Sequence, residues 1–341
     1  MSSSLQFYIS SLVAAVCSRS LFWIIMKGFS TLVLLFSVVL LCSADPILEP
    51  VTCGVESIDV AARFAIHHIN EHHNHGYKFK LFGIISNNTE KTDEGCTIQL
   101  DLKLSETNCH VVNPKPYEDC STRRDDEGPV EANCNVTMSI KAKDAKIDRY
   151  SCDTHTEFEA SDLVRRCPDC PLLISLKSKE GVQAAEAIVQ QFNQDNQNNQ
   201  QHYFVLQEVG RTRVGYIPGM GTQYYSEAVL VESHCPMSSR IVPQACEPLC
   251  PDRAQHAVCK AAYASMSGEI RDLRCDLFQA LNSTALVPGE QEPECAIQLP
   301  IDPPGPPGTQ GPPVPPPRPF PHADRCHKDF SLEFHPICPW P

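Results

Sequence analysis

Ile98-Gln99-Leu100-Asp101-Leu102-Lys103-Leu104 alternates apolar and polar side chains at every step, and a cysteine follows at position 109. In an extended chain that period of two puts the four aliphatics on one face and the three polar side chains on the other. The stretch is therefore a strand of an antiparallel sheet with one buried and one wet face. What covers the buried face lies upstream. Ile58, Ala61, Ala62, Ala65, Ile66 and Ile69 recur at helical spacing, with Phe64 on a flank and Gly76 as the stop. A strand over 77–85 joins this helix to 98–104. A helix laid across an antiparallel sheet is an α+β architecture.

The unit occurs twice. Cys109, Cys120, Cys134 and Cys152 are matched by Cys235, Cys246, Cys259 and Cys275, at separations of 126, 126, 125 and 123 residues. So constant an offset over four cysteines signals a duplicated, cysteine-bearing unit. The second copy has Ala184, Ala185, Ile188, Val189 and Phe192 at helical spacing, fading into the Asn/Gln run 193–201. Strands over 203–209 and 224–231 follow. The division expected is a first domain over 45–152, a linker over 153–176, a second domain over 177–280 and a tail over 281–341.

The N-terminus reads as a secretory signal. Met26-Lys27 precedes the apolar run 29–41, and Cys42-Ser43-Ala44 offers small residues for cleavage after Ala44. Met26 is a plausible start within the signal region 1–44, and the run is shorter than the ~20 residues of a spanning helix. Cleavage removes Cys17 and Cys42, leaving 16 of 18 cysteines. In an oxidising compartment an even set implies disulfides. Removing Arg19 and Lys27 from the 28 basic residues leaves 26 against 41 acids, a net charge of −15. Nucleic acid and, after signal cleavage, membrane are thereby disfavoured as partners, whereas cations, basic proteins and mineral surfaces are permitted. Asn87, Asn135 and Asn282 head glycosylation sequons, consistent with a secreted, extracellular glycoprotein. In the tail, 12 of the 22 residues 300–321 are proline. That composition builds no core and favours disordered, extended polyproline II.

Between the copies stands Cys167-Pro168-Asp169-Cys170-Pro171. Two cysteines three apart can close a small ring that holds one carboxylate outward. Zinc ligation together with Cys246 and Cys250, or a redox pair, are alternatives to that ring. Secretion favours the disulfide.

This run, together with Leu104-Ser105-Glu106-Thr107-Asn108-Cys109-His110 and the paired cysteines, resembles the fetuins, secreted members of the cystatin superfamily. Ser105 is an extra residue or a local shift in the family's Leu-Glu-Thr-x-Cys-His signature. The resemblance covers roughly 53–280 plus the last cysteine. It implies two tandem cystatin-like domains, and disulfides Cys53–Cys338, Cys109–Cys120, Cys134–Cys152, Cys167–Cys170, Cys235–Cys246 and Cys259–Cys275. It leaves Cys96, Cys250, Cys295 and Cys326 open.

No enzyme is expected: G-x-S-x-G, HExxH and the phosphate loop are absent. His67, His68, His72, His73 and His75 cluster at the first helix. His68 and His72 share a face that could bind Zn²⁺ or Cu²⁺ or could simply be solvated. The Gln-x-Val-x-Gly hairpin of papain-type inhibitors is missing: Gln207-Glu208-Val209-Gly210 is one residue short and falls in a strand, and Pro339-Trp340-Pro341 stands at the extreme end.

Resemblance to the fetuins instead implies inhibition of astacin-type zinc metallopeptidases, with Asp169 meeting the zinc. Cys167, Pro168 and Cys170 would stiffen its ring. The loop 214–221, with Tyr216 and Ile217, would make a second contact. A rigid inter-domain hinge is the competing role for the ring. The other function the family implies is a carrier that binds calcium phosphate through an acidic row on the first domain's wet face. Here that row is Thr97, Gln99, Asp101 and Lys103, with a single acid. No resident metal or cofactor is expected; weak Ca²⁺ binding is compatible with the net charge.

Overall fold

The computed structural model describes residues 50–141, 144–195, 200–237, 239, 241–282 and 333–338. The signal region, most of the proline-rich tail with Cys295 and Cys326, and Pro339-Trp340-Pro341 lie outside the described residues. The described residues belong to one compact unit built of two lobes.

In the first lobe, helix α1 (Ile58–His72) crosses a sheet of β1 (Tyr77–Thr92), β2 (Gly95–His110), β3 (Val130–Lys141) and β4 (Asp144–Thr156), paired in that order and antiparallel throughout. The alternation in β2 is realised as read. Ile98, Leu100, Leu102 and Leu104 are completely buried, while Gln99 is exposed and Asp101 and Lys103 are half-buried. Burial of such side chains stabilises by about 1.5–3 kcal/mol each. They meet Ile58, Ala61, Ala62, Ala65, Ile66 and Ile69 of α1, whose three alanines let the helix lie close to the sheet. The helix ends at His72, before Gly76, whose φ of +70° turns the chain into β1.

The second lobe repeats the plan. After a short helix α2 (Ala160–Arg166), helix α3 (Lys179–Gln194) starts on Ser178, whose hydroxyl accepts from the Gly181 N–H at 3.1 Å. It packs on a sheet of β5 (Leu172–Leu173), β6 (His202–Ile217), β7 (Gly221–Pro236), β8 (His256–Ala264) and β9 (Glu269–Phe278). The duplication extends to a side-chain tie absent from the cysteine comparison. The Asn70 amide brackets the backbone of Phe79, accepting from its N–H at 2.8 Å and donating to its carbonyl at 2.9 Å. Asn193 does the same to Phe204 at 2.9 and 2.8 Å. Each amide fixes the helix end to the first long strand of its own sheet.

Disulfides Cys109–Cys120, Cys134–Cys152, Cys167–Cys170, Cys235–Cys246 and Cys259–Cys275 are formed. Cys53–Cys338 is not. Cys53 pairs with Cys96, with their Cα atoms 5.9 Å apart. Cys96, the second residue of β2, is buried against the first core, where Cys53 also packs just ahead of α1. A cysteine outside the expected framework is therefore the nearer partner. Cys338 and Cys250 are disulfide-bonded as well. The tail still returns to the first lobe: Phe334 and Ile337 are buried in its core, and the Ile337 N–H donates to the Thr154 hydroxyl at 3.1 Å.

Two further expectations shift. The stretch expected as a linker contains the end of β4, all of α2, and β5, which belongs to the second sheet. The expected loop 214–221 is mostly strand, with only Pro218-Gly219-Met220 between β6 and β7. Two long strands pairing to their ends leave a tight turn.

Candidate functional site

The Cys167–Cys170 ring is rooted on both sides. On its N-terminal side α2 ends into it, the Cys167 N–H donating to the Leu163 carbonyl at 2.8 Å. Inside the ring the Cys170 N–H donates to the Cys167 carbonyl at 3.1 Å, and the disulfide closes the same turn. Pro168 and Asp169 are exposed at the tip, whereas both cysteines are half-buried. On the C-terminal side Leu172 and Leu173 pair with Val214 and Arg213 of β6, and the Ile174 N–H donates to the Thr212 carbonyl at 3.1 Å. Pro171 lies against Gly215, where an added Cβ would stand 3.5 Å from its ring.

That register brings the ring beside the turn end of the β6–β7 hairpin. Tyr216 is 74% exposed and Met220 41% exposed, while Ile217 is half-buried. The sequence-selected residues Cys167, Pro168, Asp169 and Cys170 therefore share one end of the second lobe with Tyr216 and Ile217.

The first lobe braces this seat. The Arg213 guanidinium donates to the Asp126 carbonyl at 2.8 Å, and Arg211 donates to the Gly128 carbonyl at 2.5 Å. Gly128 has a φ of +65°, and an added Cβ there would fall 2.9 Å from Leu173 Cγ.

Behind the seat runs a buried chain of charges that sequence reading missed. Arg211 pairs with Glu106. Glu106 also accepts from Arg123 Nε at 2.7 Å. Arg123 in turn grips both oxygens of Glu227, at 3.0 and 3.1 Å. The Tyr77 hydroxyl donates to Glu227 at 2.5 Å, and the Arg123 guanidinium stacks 4.1 Å from the Tyr77 ring centroid. Burial would raise the Glu227 carboxyl, but Arg123, Lys260 and Arg211 outweigh it and hold the group well below the usual carboxylate range. One signal for this was legible. Glu106 falls on the inward parity of Leu100, Leu102 and Leu104, and a charge at an inward position needs a buried partner.

The other candidate groups are engaged elsewhere. Asp101 accepts from Ser86 and, at 2.7 Å, from the Asn135 amide, and these two hydrogen bonds lower its pKa. Lys103 pairs with Glu131 at 2.8 Å. The wet face of β2 is thus a cross-linked surface rather than a row of acids. The His68 and His72 ring centroids lie 4.0 Å apart with the rings tilted by 40°, but His72 Nδ1 is bonded to the His68 carbonyl at 2.8 Å. Among the described residues no three His, Cys, Asp or Glu side chains converge to hold a metal ion. Gln207-Glu208-Val209-Gly210 lies within β6, where Glu208 accepts from His110 and the Gly76 N–H, both at 2.9 Å. Asn87, Asn135 and Asn282 are all exposed.

Among the described residues no helix is long and apolar enough to cross a membrane. The cystatin domain family matches residues 48–139. The chain is 30% identical to alpha-2-HS-glycoprotein of Ovis aries over 264 residues, covering 74% of this chain and 69% of that protein. It is 31% identical to antihemorrhagic factor cHLP-B of Gloydius brevicauda, covering 62% of this chain and 60% of that relative. Among solved structures, mouse fetuin-B in complex with crayfish astacin shares the fold, with a TM-score of 0.52 at 22% identity, over 70% of each chain.

Proposed function

The chain belongs to the fetuin family of the cystatin superfamily, and from that premise we propose that it is a secreted, non-catalytic inhibitor of astacin-type zinc metallopeptidases, with Asp169 as the zinc-directed group. The observation that carries this reading is the exposed Asp169 carboxylate on a ring closed by a disulfide between cysteines three residues apart, anchored by a helix on one side and a strand on the other. A catalytic zinc keeps one position open for water. A carboxylate offered from a fixed ring takes that position and removes the nucleophile. Because the ring is already ordered, little conformational entropy is lost on docking. Tyr216 and Ile217, on the neighbouring hairpin, supply a second contact with the rim of the peptidase. The complex of mouse fetuin-B with crayfish astacin supports the choice of target class.

The test is Asp169→Ala in the secreted full-length protein. Inhibition of an astacin-type peptidase falls by at least 100-fold while the thermal midpoint stays put. Undiminished inhibition would overturn the reading.

A carrier of calcium phosphate is the second reading, favoured by the net charge of −15 on the mature chain and by the likeness to sheep alpha-2-HS-glycoprotein. Weak Ca²⁺ binding belongs to it. Against it stands Asp101, the one acid on the wet row, already committed to Ser86 and Asn135. The same preparations separate the two: delayed precipitation of supersaturated calcium phosphate that survives Asp169→Ala is the carrier's outcome.

A further inference from the structure

Arg211, Glu106, Arg123 and Glu227 alternate in sign along one continuous chain of ion pairs. Glu106 and Arg123 come from the first lobe, Arg211 and Glu227 from the second. Their side chains are 0–4% exposed. Separating the members of a buried ion pair leaves an uncompensated charge, so a displacement of the lobes that opened this chain would be costly. Its outer end reaches the ring. Arg211 uses its second nitrogen on the Gly128 carbonyl, and Arg213, two residues along the same strand, holds the Asp126 carbonyl. Residue Arg213 also faces Leu173 across the β5–β6 pairing, and Leu173 rests on Gly128. The ring leaves this pairing at Pro171.

We propose that Arg211 and Glu106 are positioning residues for Asp169: the buried ion chain locks the lobes, and the lock holds the ring in a single orientation. The Cys167–Cys170 segment is on this account a braced projection and not a hinge. Its consequence for inhibition rests on the inhibitory reading of Asp169; the lock itself does not.

The experiment compares the full chain with Arg211→Lys, Glu106→Gln and Asp169→Ala. Lysine keeps a charge for Glu106 but cannot also reach Gly128 with a planar fork. Backbone hydrogen exchange is followed by mass spectrometry, alongside thermal unfolding and titration of an astacin-type peptidase. In Arg211→Lys the amides of Cys170 and Ile174 exchange at least 10-fold faster, those of β2 and β8 are unchanged, and inhibition weakens by 10-fold or more. Glu106→Gln gives a larger change in the same amides if it folds; if it does not, Arg211→Lys decides alone. Unchanged exchange at Cys170 and Ile174 in Arg211→Lys overturns the proposal. A wild-type protein that fails to inhibit would sink the inhibitory reading, and the exchange data would still decide the lock.

Discussion

Gly128 shows how much of the seat depends on single residues. It ends the 3-10 turn Asp125–Glu127 in the left-handed region, where its carbonyl meets Arg211 and its missing side chain leaves room for Leu173. An alanine there pays for a left-handed backbone, roughly 1–2 kcal/mol, and also needs Leu173 to move. Gly128→Ala is therefore expected to lower unfolding stability by at least that amount in a urea titration, with the largest change in hydrogen exchange at 172–174. A neutral result would mean that Leu173 does not rest on this turn. In the sequence the glycine simply follows Asp125-Asp126-Glu127, and its partner Leu173 lies 45 residues on. Glu106 differs. Its inward parity was legible within its own strand, and only the identity of Arg123 and Arg211 needed the fold. Asp169 was legible to the extent that a ring could be drawn from Cys167 and Cys170. Where the ring sits was not, because a two-residue strand such as Leu172–Leu173 carries no periodicity.

At the level of elements the disulfides give the clearest test. Cys53 precedes α1 and Cys96 lies at the start of the interior strand β2, so their bond ties the entry to the helix to the sheet. Closing a loop with a sequence separation of 43 stabilises by about 4 kcal/mol in the chain-entropy treatment. Peptide mapping of the unreduced protein is expected to find Cys53 joined to Cys96. The Cys53→Ser, Cys96→Ser double variant should lose stability on that scale while keeping the Cys109–Cys120 and Cys134–Cys152 bonds. A peptide joining Cys53 to Cys338 would refute the assignment. The helices and long strands were legible because each has a period that matches its buried face: Ala61, Ala62, Ala65 and Ile69 at helical spacing, and Ile98 to Leu104 at every second residue. The Cys53 partner was not. Its expected pairing came from likeness to relatives, and pairing between distant cysteines depends on three-dimensional proximity that no local pattern encodes. The hairpin 214–221 was read too open for a related reason, since strand pairing runs on as long as backbone partners exist, whatever the glycine content.

Across the whole molecule, acid is the condition that tests how the returning tail is held. The segment 333–338 docks where α1 ends and β6 passes, and this junction is crowded with titratable groups. His335 contacts Glu208 at 3.2 Å and the Val209 carbonyl at 2.9 Å, and His75 bonds the Pro336 carbonyl at 3.1 Å. His110 reaches Glu208 from β2, and His73 is buried beside His75 and Phe79. Burial, reinforced by His75 and His335, holds His73 well below the ordinary histidine range, and burial likewise lowers His75. Glu208 behaves oppositely to its desolvation: His335, His110 and the Gly76 N–H keep it charged below the usual carboxylate range. The sign follows. Above about pH 6.5 His73 and His75 are neutral in both folded and unfolded chains and cost nothing. As the pH falls below that value the unfolded chain takes up protons that the folded one refuses, so stability declines. Glu208 stays ionised throughout that window and does not reverse the trend. The thermal midpoint is therefore expected to fall between pH 7.5 and pH 5, and the fall should be smaller in His73→Leu, which removes a titrating group without adding a charge. Exchange at the Ile337 amide, corrected for its intrinsic pH dependence, should rise over the same interval, because that amide's bond to Thr154 ties the backbone of the returning segment to the first lobe. A midpoint that does not move between the two pH values would show that the histidines are already solvated and that apolar burial of Phe334 and Ile337 alone holds the tail.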